Sequence, residues 1–425
     1  MKCFKALFLL IALPFAASAQ NVVTLEECQR MARENYPLIK RYDLIKSTTE
    51  YNVSNIVKGW LPQIAASAGA SLQSDVMTLP DPLQNMLTAQ GYDVKGLKKD
   101  QYKIGIDVNQ TLWDGGAMSA QSRVARLEGQ VQEAQTDVDM YAIRQRVNEL
   151  YFGILLLDSR IELVGDLIYL LNSNLEKLES MCRNGIALQC DVNLVKAEVL
   201  KAEQTMIDLE ASRGSLCQML GNFIGSDVEK VVKPSEAVLD GINRRPELAM
   251  FDSQLKLFVA KEKMVNSTLL PRISLYAQGY YGYPGLDMFH DMFHHDFSLN
   301  GIVGARITWN ISAFYRSGNE KSKIAAGKSM VENARETFMF NNKLLQTQYR
   351  AGADKYRKML DQDRELVELR SEVRRAAESK LSHGIIDTNN LLQEITRENQ
   401  ANIDMQTHEL LMLKEIYELK HTLND

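Results

Sequence analysis

The chain has 425 residues, 49 Lys and Arg against 54 Asp and Glu, and a formal net charge of −5. A mildly acidic chain without basic clusters excludes nucleic acid as an expected partner. Five cysteines are too few for a disulfide scaffold and too scattered for a zinc site, and no stretch beyond the N-terminus approaches 18 uncharged apolar residues, which excludes a membrane-spanning helix but not a membrane β-barrel.

In chain order, residues 1–19 read as a secretory signal peptide. Lys2 and Lys5 give a basic start, Leu7 to Phe15 an apolar core, and Ala17-Ser18-Ala19 a small-residue cleavage site. A cut after Ala19 leaves Gln20 first and, by removing two lysines, takes the charge from −5 to −7. The absence of Cys at the cut argues against a lipid anchor.

The remainder writes one unit twice, over 20–240 and 241–425. Asn35-Tyr36-Pro37-Leu38 answers Arg245-Pro246-Glu247-Leu248, and Trp60-Leu61-Pro62 answers Leu269-Leu270-Pro271, at an offset of 209. Thr111-Leu112-Trp113-Asp114 answers Ile307-Thr308-Trp309-Asn310 at 196, and Gly185-Ile186 answers Gly384-Ile385 at 199. A near-constant offset over this length marks a duplicated structural unit. Each copy has the order helix, short strand, loop, short strand, very long helix, turn, helix.

Four strands are expected, at about 63–73 and 102–113 in the first copy and about 272–283 and 302–310 in the second. Tyr102 to Trp113 alternates Ile104, Ile106, Val108 and Leu112 with Gly105, Asp107, Asn109 and Thr111. Arg272 to Tyr283 sets Ile273, Leu275 and Ala277 against Ser274, Tyr276 and Gln278, and Ile302 to Asn310 sets Val303, Ala305, Ile307 and Trp309 against Gly304, Arg306 and Thr308. Each has the length of a tilted membrane strand with one apolar and one polar face. Tyr280, Tyr281, Tyr283, Trp113 and Trp309 lie near strand ends, where interfacial aromatics belong.

Between the strands run two Pro-free stretches of coiled-coil character. One seam follows Val124, Leu127, Val131, Ala134, Val138 and Tyr141. A second, shifted in phase, follows Val147, Leu150, Ile154, Leu157, Ile161, Val164, Ile168, Leu171, Leu175 and Leu178. At 1.5 Å per residue a helix from Gly116 to Cys182 is about 100 Å long, beyond the diameter of a compact domain. The helices reverse near 183–190 and 382–389, where Gly185 and Gly384 suit a left-handed helix terminus. The fold class is therefore mostly α with a small β part. Single-chain outer-membrane barrels begin at eight strands, and an open sheet in lipid leaves backbone groups unpaired. Three copies pooling four strands each would close a twelve-stranded barrel and gather the helices into a ring.

At Trp60-Leu61-Pro62, at Thr111-Leu112-Trp113-Asp114-Gly115-Gly116, and from Arg183-Asn184-Gly185 through Asp191, the chain resembles the TolC-type outer-membrane efflux protein family, over Val23 to about Leu423 and in both copies. The resemblance implies a homotrimer in the outer membrane of a Gram-negative bacterium, extending into the periplasm as a coiled-coil α-barrel. It implies a passive exit duct for an inner-membrane pump of RND or ABC type, joined through a periplasmic adaptor, with no enzyme activity and no cofactor. The barrel interior would be lined by Asp107, Asn109, Ser274, Gln278 and Arg306. The turns at Arg183, Asn184, Gly185 and Ile186 and at His383, Gly384 and Ile385 would receive the adaptor. Asp191, six residues after Gly185, matches a family gate position. In the second copy the positions six and nine after the turn glycine hold Asn390 and Gln393 in place of acids, with Asp387 nearer the turn, so a polar, less charged gate is expected.

Other residues invite chemistry. Met288, His290, Met292, His294 and His295 fall in one loop with Asp287, Asp291 and Asp296. Thioether and imidazole would suit copper or silver, imidazole and carboxylate zinc; the plainer reading is a surface loop. Cys182 and Cys190 flank the first turn and could pair in an oxidising compartment. His383 and His408 belong to no zinc-protease pattern, and the sequence has no Gly-x-Ser-x-Gly, phosphate loop or dinucleotide fingerprint. The competing reading is a periplasmic coiled-coil adaptor or structural protein of an export system, which would lack membrane-like strands.

Overall fold

The computed structural model describes residues 22–239 and 241–424. The expected signal peptide lies outside the described residues. Two compact units are present, and each draws on both halves of the chain: residues up to 41, 136–248 and 336 onward form one, 42–135 and 249–335 the other.

The first half of the chain opens with strand β1 (Val22–Val23) and helix α1 (Leu25–Asn35). Thr24 caps α1: its hydroxyl accepts the Glu27 N–H at 3.3 Å, and the Glu27 carboxylate accepts the Thr24 N–H at 3.0 Å. The apolar side of α1, Leu25, Cys28 and Ala32, is buried. Helix α2 (Lys40–Val57), strand β2 (Gln63–Leu72), helix α3 (Asp81–Ala89) and strand β3 (Asp100–Trp113) follow. Helix α4 (Ala117–Arg183) and helix α5 (Gln189–Ile224) form the first long hairpin. Strand β4 (Lys230–Val231) pairs in parallel with β1. The Tyr151 hydroxyl braces this pair, donating toward the Val232 carbonyl at 2.6 Å and lying 3.0 Å from the Val23 carbonyl. Helix α5 ends at Gly225, in the left-handed region at φ +75°, where Asn35 donates to the Asn222 and Phe223 carbonyls.

The second half repeats the order with helix α6 (Pro246–Ser267), strand β5 (Arg272–Tyr283), helix α7 (Met288–Phe293), strand β6 (Ser298–Thr308), helix α8 (Ala313–Ser382) and helix α9 (Thr388–Leu423). Strand β6 begins four residues earlier than the alternation suggested, because Ser298, Leu299, Asn300 and Gly301 pair with Gly282, Tyr281, Tyr280 and Gly279. In the first unit one apolar core joins the ends of both long hairpins: Leu171, Leu178, Val192, Val195 and Val199 from the first, Ala377, Leu391, Leu392 and Ile395 from the second.

The second unit holds the sheet, antiparallel throughout, in the order β2-β3-β5-β6. The Trp113-Asp114-Gly115-Gly116 segment turns the chain from sheet into helix. The Asp114 carboxylate accepts the Gly116 N–H at 2.9 Å and the Met118 N–H at 2.6 Å, capping α4. Gly115 has φ +70°, and a Cβ there would stand 2.6 Å from Leu270 Cβ, so only glycine fits.

Candidate pore face and helical turns

The register sorts every strand residue onto one of two faces. Asp107 lies opposite Ala65 and Gln278, Asn109 opposite Tyr276, Ser274 opposite Thr111 and Arg306. All five expected pore residues, Asp107, Asn109, Ser274, Gln278 and Arg306, therefore share one face. The Asp107 carboxylate ties three strands together, accepting from Gln278 Nε2 at 2.7 Å and Ser67 Oγ at 3.2 Å. The same face carries Lys103, Tyr280, Tyr276 and Arg272, which are not among the expected pore residues although the two-residue period points to them. Lys103 Nζ stands 5.0 Å from the Tyr280 ring centre, Arg306 Cζ stands 4.8 Å from that of Tyr276, and Arg272 donates to the Thr111 hydroxyl.

The opposite face is apolar and open in the single chain. Ile64, Leu72, Ile104, Ile106, Leu275, Tyr281, Leu299, Val303 and Ile307 lie on it, Leu299, Val303 and Leu72 each more than 80% exposed. Of the expected interfacial aromatics, Tyr281, Trp113 and Trp309 are exposed, and Phe297 stacks on Tyr281 at 5.8 Å. Tyr280 faces the polar side instead, and Tyr283 is 2% exposed beneath the connecting loops.

Those loops are packed. Leu79, Val94, Leu97, Tyr283 and Met292 form a small core. Met292 is buried in it, the buried Asp291 carboxylate accepts the Gly285 N–H at 2.6 Å, and His295 Nε2 lies 2.8 Å from the Gly96 carbonyl oxygen. Among the described residues no three His, Cys, Asp or Glu side chains converge as a metal site. His290 and His294 stack on each other, ring centres 4.6 Å apart, and Met288 is exposed. The loop's soft donors are thus divided between a core and a surface.

The two helical turns have parallel chemistry. In the first, Gly185 has φ +73°, and Ile186 N–H donates to the Met181 carbonyl at 2.9 Å. In the second, Gly384 has φ +70°, and Ile385 N–H donates to the Lys380 carbonyl at 2.9 Å. These are the glycine terminations expected of helix ends. Arg183, Asn184, His383 and both isoleucines are exposed, each Ile at 69%. His383 Nδ1 lies 2.7 Å from the Ser379 carbonyl oxygen. The acids close to the turns cap helices. The Asp191 carboxylate accepts the Leu188 N–H at 3.1 Å, and the Asp387 carboxylate accepts the Asn390 N–H at 2.8 Å. Asn390 and Gln393 are exposed. Cys182 and Cys190 are free thiols, contrary to a staple: Cys182 packs partly against the hairpin core with its sulfur 3.8 Å from Gln189 Oε1, and Cys190 is exposed. Away from the turns, His408 Nδ1 lies 2.7 Å from Asp363 Oδ2, a pair linking α9 to α8.

The described residues thus combine a small antiparallel sheet that has one apolar face with two long helical hairpins. Residues 30–225 match the outer membrane efflux protein family. The fold aligns over 94% of the chain with VceC from Vibrio cholerae, 95% of that chain, at 13% identity and a TM-score of 0.68. It aligns over the same share with the CmeC outer-membrane channel of Campylobacter jejuni, 85% of that chain, at 11% identity and 0.65. It aligns likewise with the open state of the MtrE outer-membrane channel of Neisseria gonorrhoeae, 88% of that chain, at 16% identity and 0.63. The comparison with curated proteins yields no match. Residues 30–225 thus match a family of outer-membrane channels, and over nearly its whole length the chain has the fold of the solved channels.

Proposed function

We propose that the chain is one third of a passive exit duct carrying solutes from the periplasm to the outside. The observation that carries this is the open four-stranded sheet: β2 and β6 are its edges, and its apolar face is exposed over its whole width. In lipid an unpaired edge costs several kcal/mol per orphaned backbone group. Three copies joined β6 to β2 close twelve strands, turn the apolar face to lipid and enclose Asp107, Asn109, Ser274, Gln278 and Arg306 around water.

In this reading the turns at Arg183, Asn184, Gly185 and Ile186 and at His383, Gly384 and Ile385 lie at the periplasmic end. Exposed Ile186 and Ile385 offer apolar contacts to a periplasmic adaptor, which links the duct to an inner-membrane pump of RND or ABC type. Asp191, Asp387, Asn390 and Gln393 form the closed gate. Opening shifts a population of closed and open hairpin arrangements, biased by whatever contacts the adaptor makes with one of them. Energy comes from the pump, because conduction itself needs none. The adaptor reading is disfavoured by the strands, which an adaptor has no use for. The test is reconstitution in planar bilayers: the duct predicts single-channel conductance, raised in Asp191→Ala, whereas protein that inserts without conducting contradicts it.

A further inference from the structure

The polar face of the sheet carries charge of mostly one sign. Lys103, Arg272 and Arg306 lie on it, with Asp107 as the acid among them. Three cations against one anion leave +2 per chain. The apolar face carries no charge between Tyr102 and Gln110 or across from them on β5 and β6. The two signs are also held differently. Asp107 is already engaged by Gln278 and Ser67 at 2.7 and 3.2 Å. Lys103 and Arg306 lie over tyrosine rings and are exposed, an arrangement that fixes a cation without neutralising it. They are spread along the strands: Lys103 pairs at Gly282, Arg306 at Ser274 and Arg272 at Thr308. Lys103 and Arg306 are thus eight residues apart on β5, about 27 Å at 3.4 Å per residue.

We propose that this face makes the duct prefer anionic solutes. The inference rests on the duct reading, under which three chains bring nine cations and three acids to one lumen. Rings of Lys and Arg favour anions in pores, and a low-dielectric wall strengthens their field. The expected gate keeps Asp191 and Asp387 but has Asn390 and Gln393 where acids are implied in the family, so it opposes this field less than the family pattern would.

The experiment is the reversal potential of the full-length protein in planar bilayers under a potassium chloride gradient. The expected result is a reversal potential displaced toward the chloride equilibrium potential. The displacement shrinks between about 0.1 M and about 1 M salt, as the screening length falls from about 10 Å to about 3 Å. The triple variant Lys103→Gln, Arg272→Gln, Arg306→Gln moves it toward potassium; if that variant fails to assemble, Arg306→Gln alone moves it the same way by less. Arg306→Lys keeps the charge and stays with the parent. Channels that conduct but prefer potassium, that ignore the neutralising changes, or in which Arg306→Lys shifts as far as Arg306→Gln, overturn the inference and leave the duct intact. Inserted protein that conducts no ions overturns the duct, and the inference with it.

Discussion

Asp191 and Asp387 perform the same local task from opposite ends of one capping arrangement. Six residues after Gly185, Asp191 reaches back to the N–H of Leu188; three residues after Gly384, Asp387 reaches forward to the N–H of Asn390. Each turn thus has one acid, placed where it satisfies a free N–H and meets the positive end of a helix. Asp387→Ala should cost about 1 kcal/mol, and Asp387→Asn much less, in thermal melts. The spacing in the sequence marks these acids but not their caps, because it fits either role. A second residue-scale prediction concerns α9. Burial pushes Glu418 up to about 7 from an ordinary 4.5. Burial, with Arg245 and Arg144 nearby, pushes His421 down to about 3 from 6.5. Folded Glu418 keeps a proton that the unfolded chain has lost, so its contribution to stability falls as pH rises from 4.5 to about 7. His421 refuses a proton that the unfolded chain accepts, so stability falls as pH drops from 6.5 toward about 3. Glu418→Gln should therefore raise the melting temperature at pH 8, by a stability gain on the order of 2–3 kcal/mol, and change it little at pH 4.

Among the elements, the strands were the most legible, because a period of two survives in sequence whatever the strands pair with. Val303 and Ile302 show what the two faces require. Val303 lies on the exposed apolar face, while Ile302 lies opposite Gln278 on the polar one. Val303→Arg should cost about 2–4 kcal/mol at the bilayer midplane and deplete the protein from outer-membrane fractions, whereas Ile302→Arg should still assemble. Helices α3 and α7 were not legible. They are held by a core in which Leu79, Val94 and Leu97 meet Tyr283 and Met292, residues some two hundred positions apart. Strands β1 and β4 were missed for a related reason: two residues each have no periodicity, and their brace, Tyr151, comes from the middle of α4. Tyr151→Phe should destabilise the protein by about 1 kcal/mol, since the Val232 carbonyl loses its donor while the Val23 carbonyl keeps the Val232 N–H, measurable by chemical denaturation.

For the whole chain, the offset of 209 between matching prolines exposes a duplication, yet neither compact unit is a copy of the repeated sequence. Each unit gathers the same portion of both halves, since the strands of one copy pair with those of the other through β3 and β5. Composition and periodicity cannot reveal which copy supplies a strand's neighbour. The same pairing leaves β2 and β6 as edges, and the account turns on what covers them. The most direct test is the mass of the detergent-extracted protein. Three chain masses, with cysteines introduced at facing positions of β2 and β6 forming a bond between chains, is the result expected. A single chain mass, with both edges free, would contradict the shared barrel.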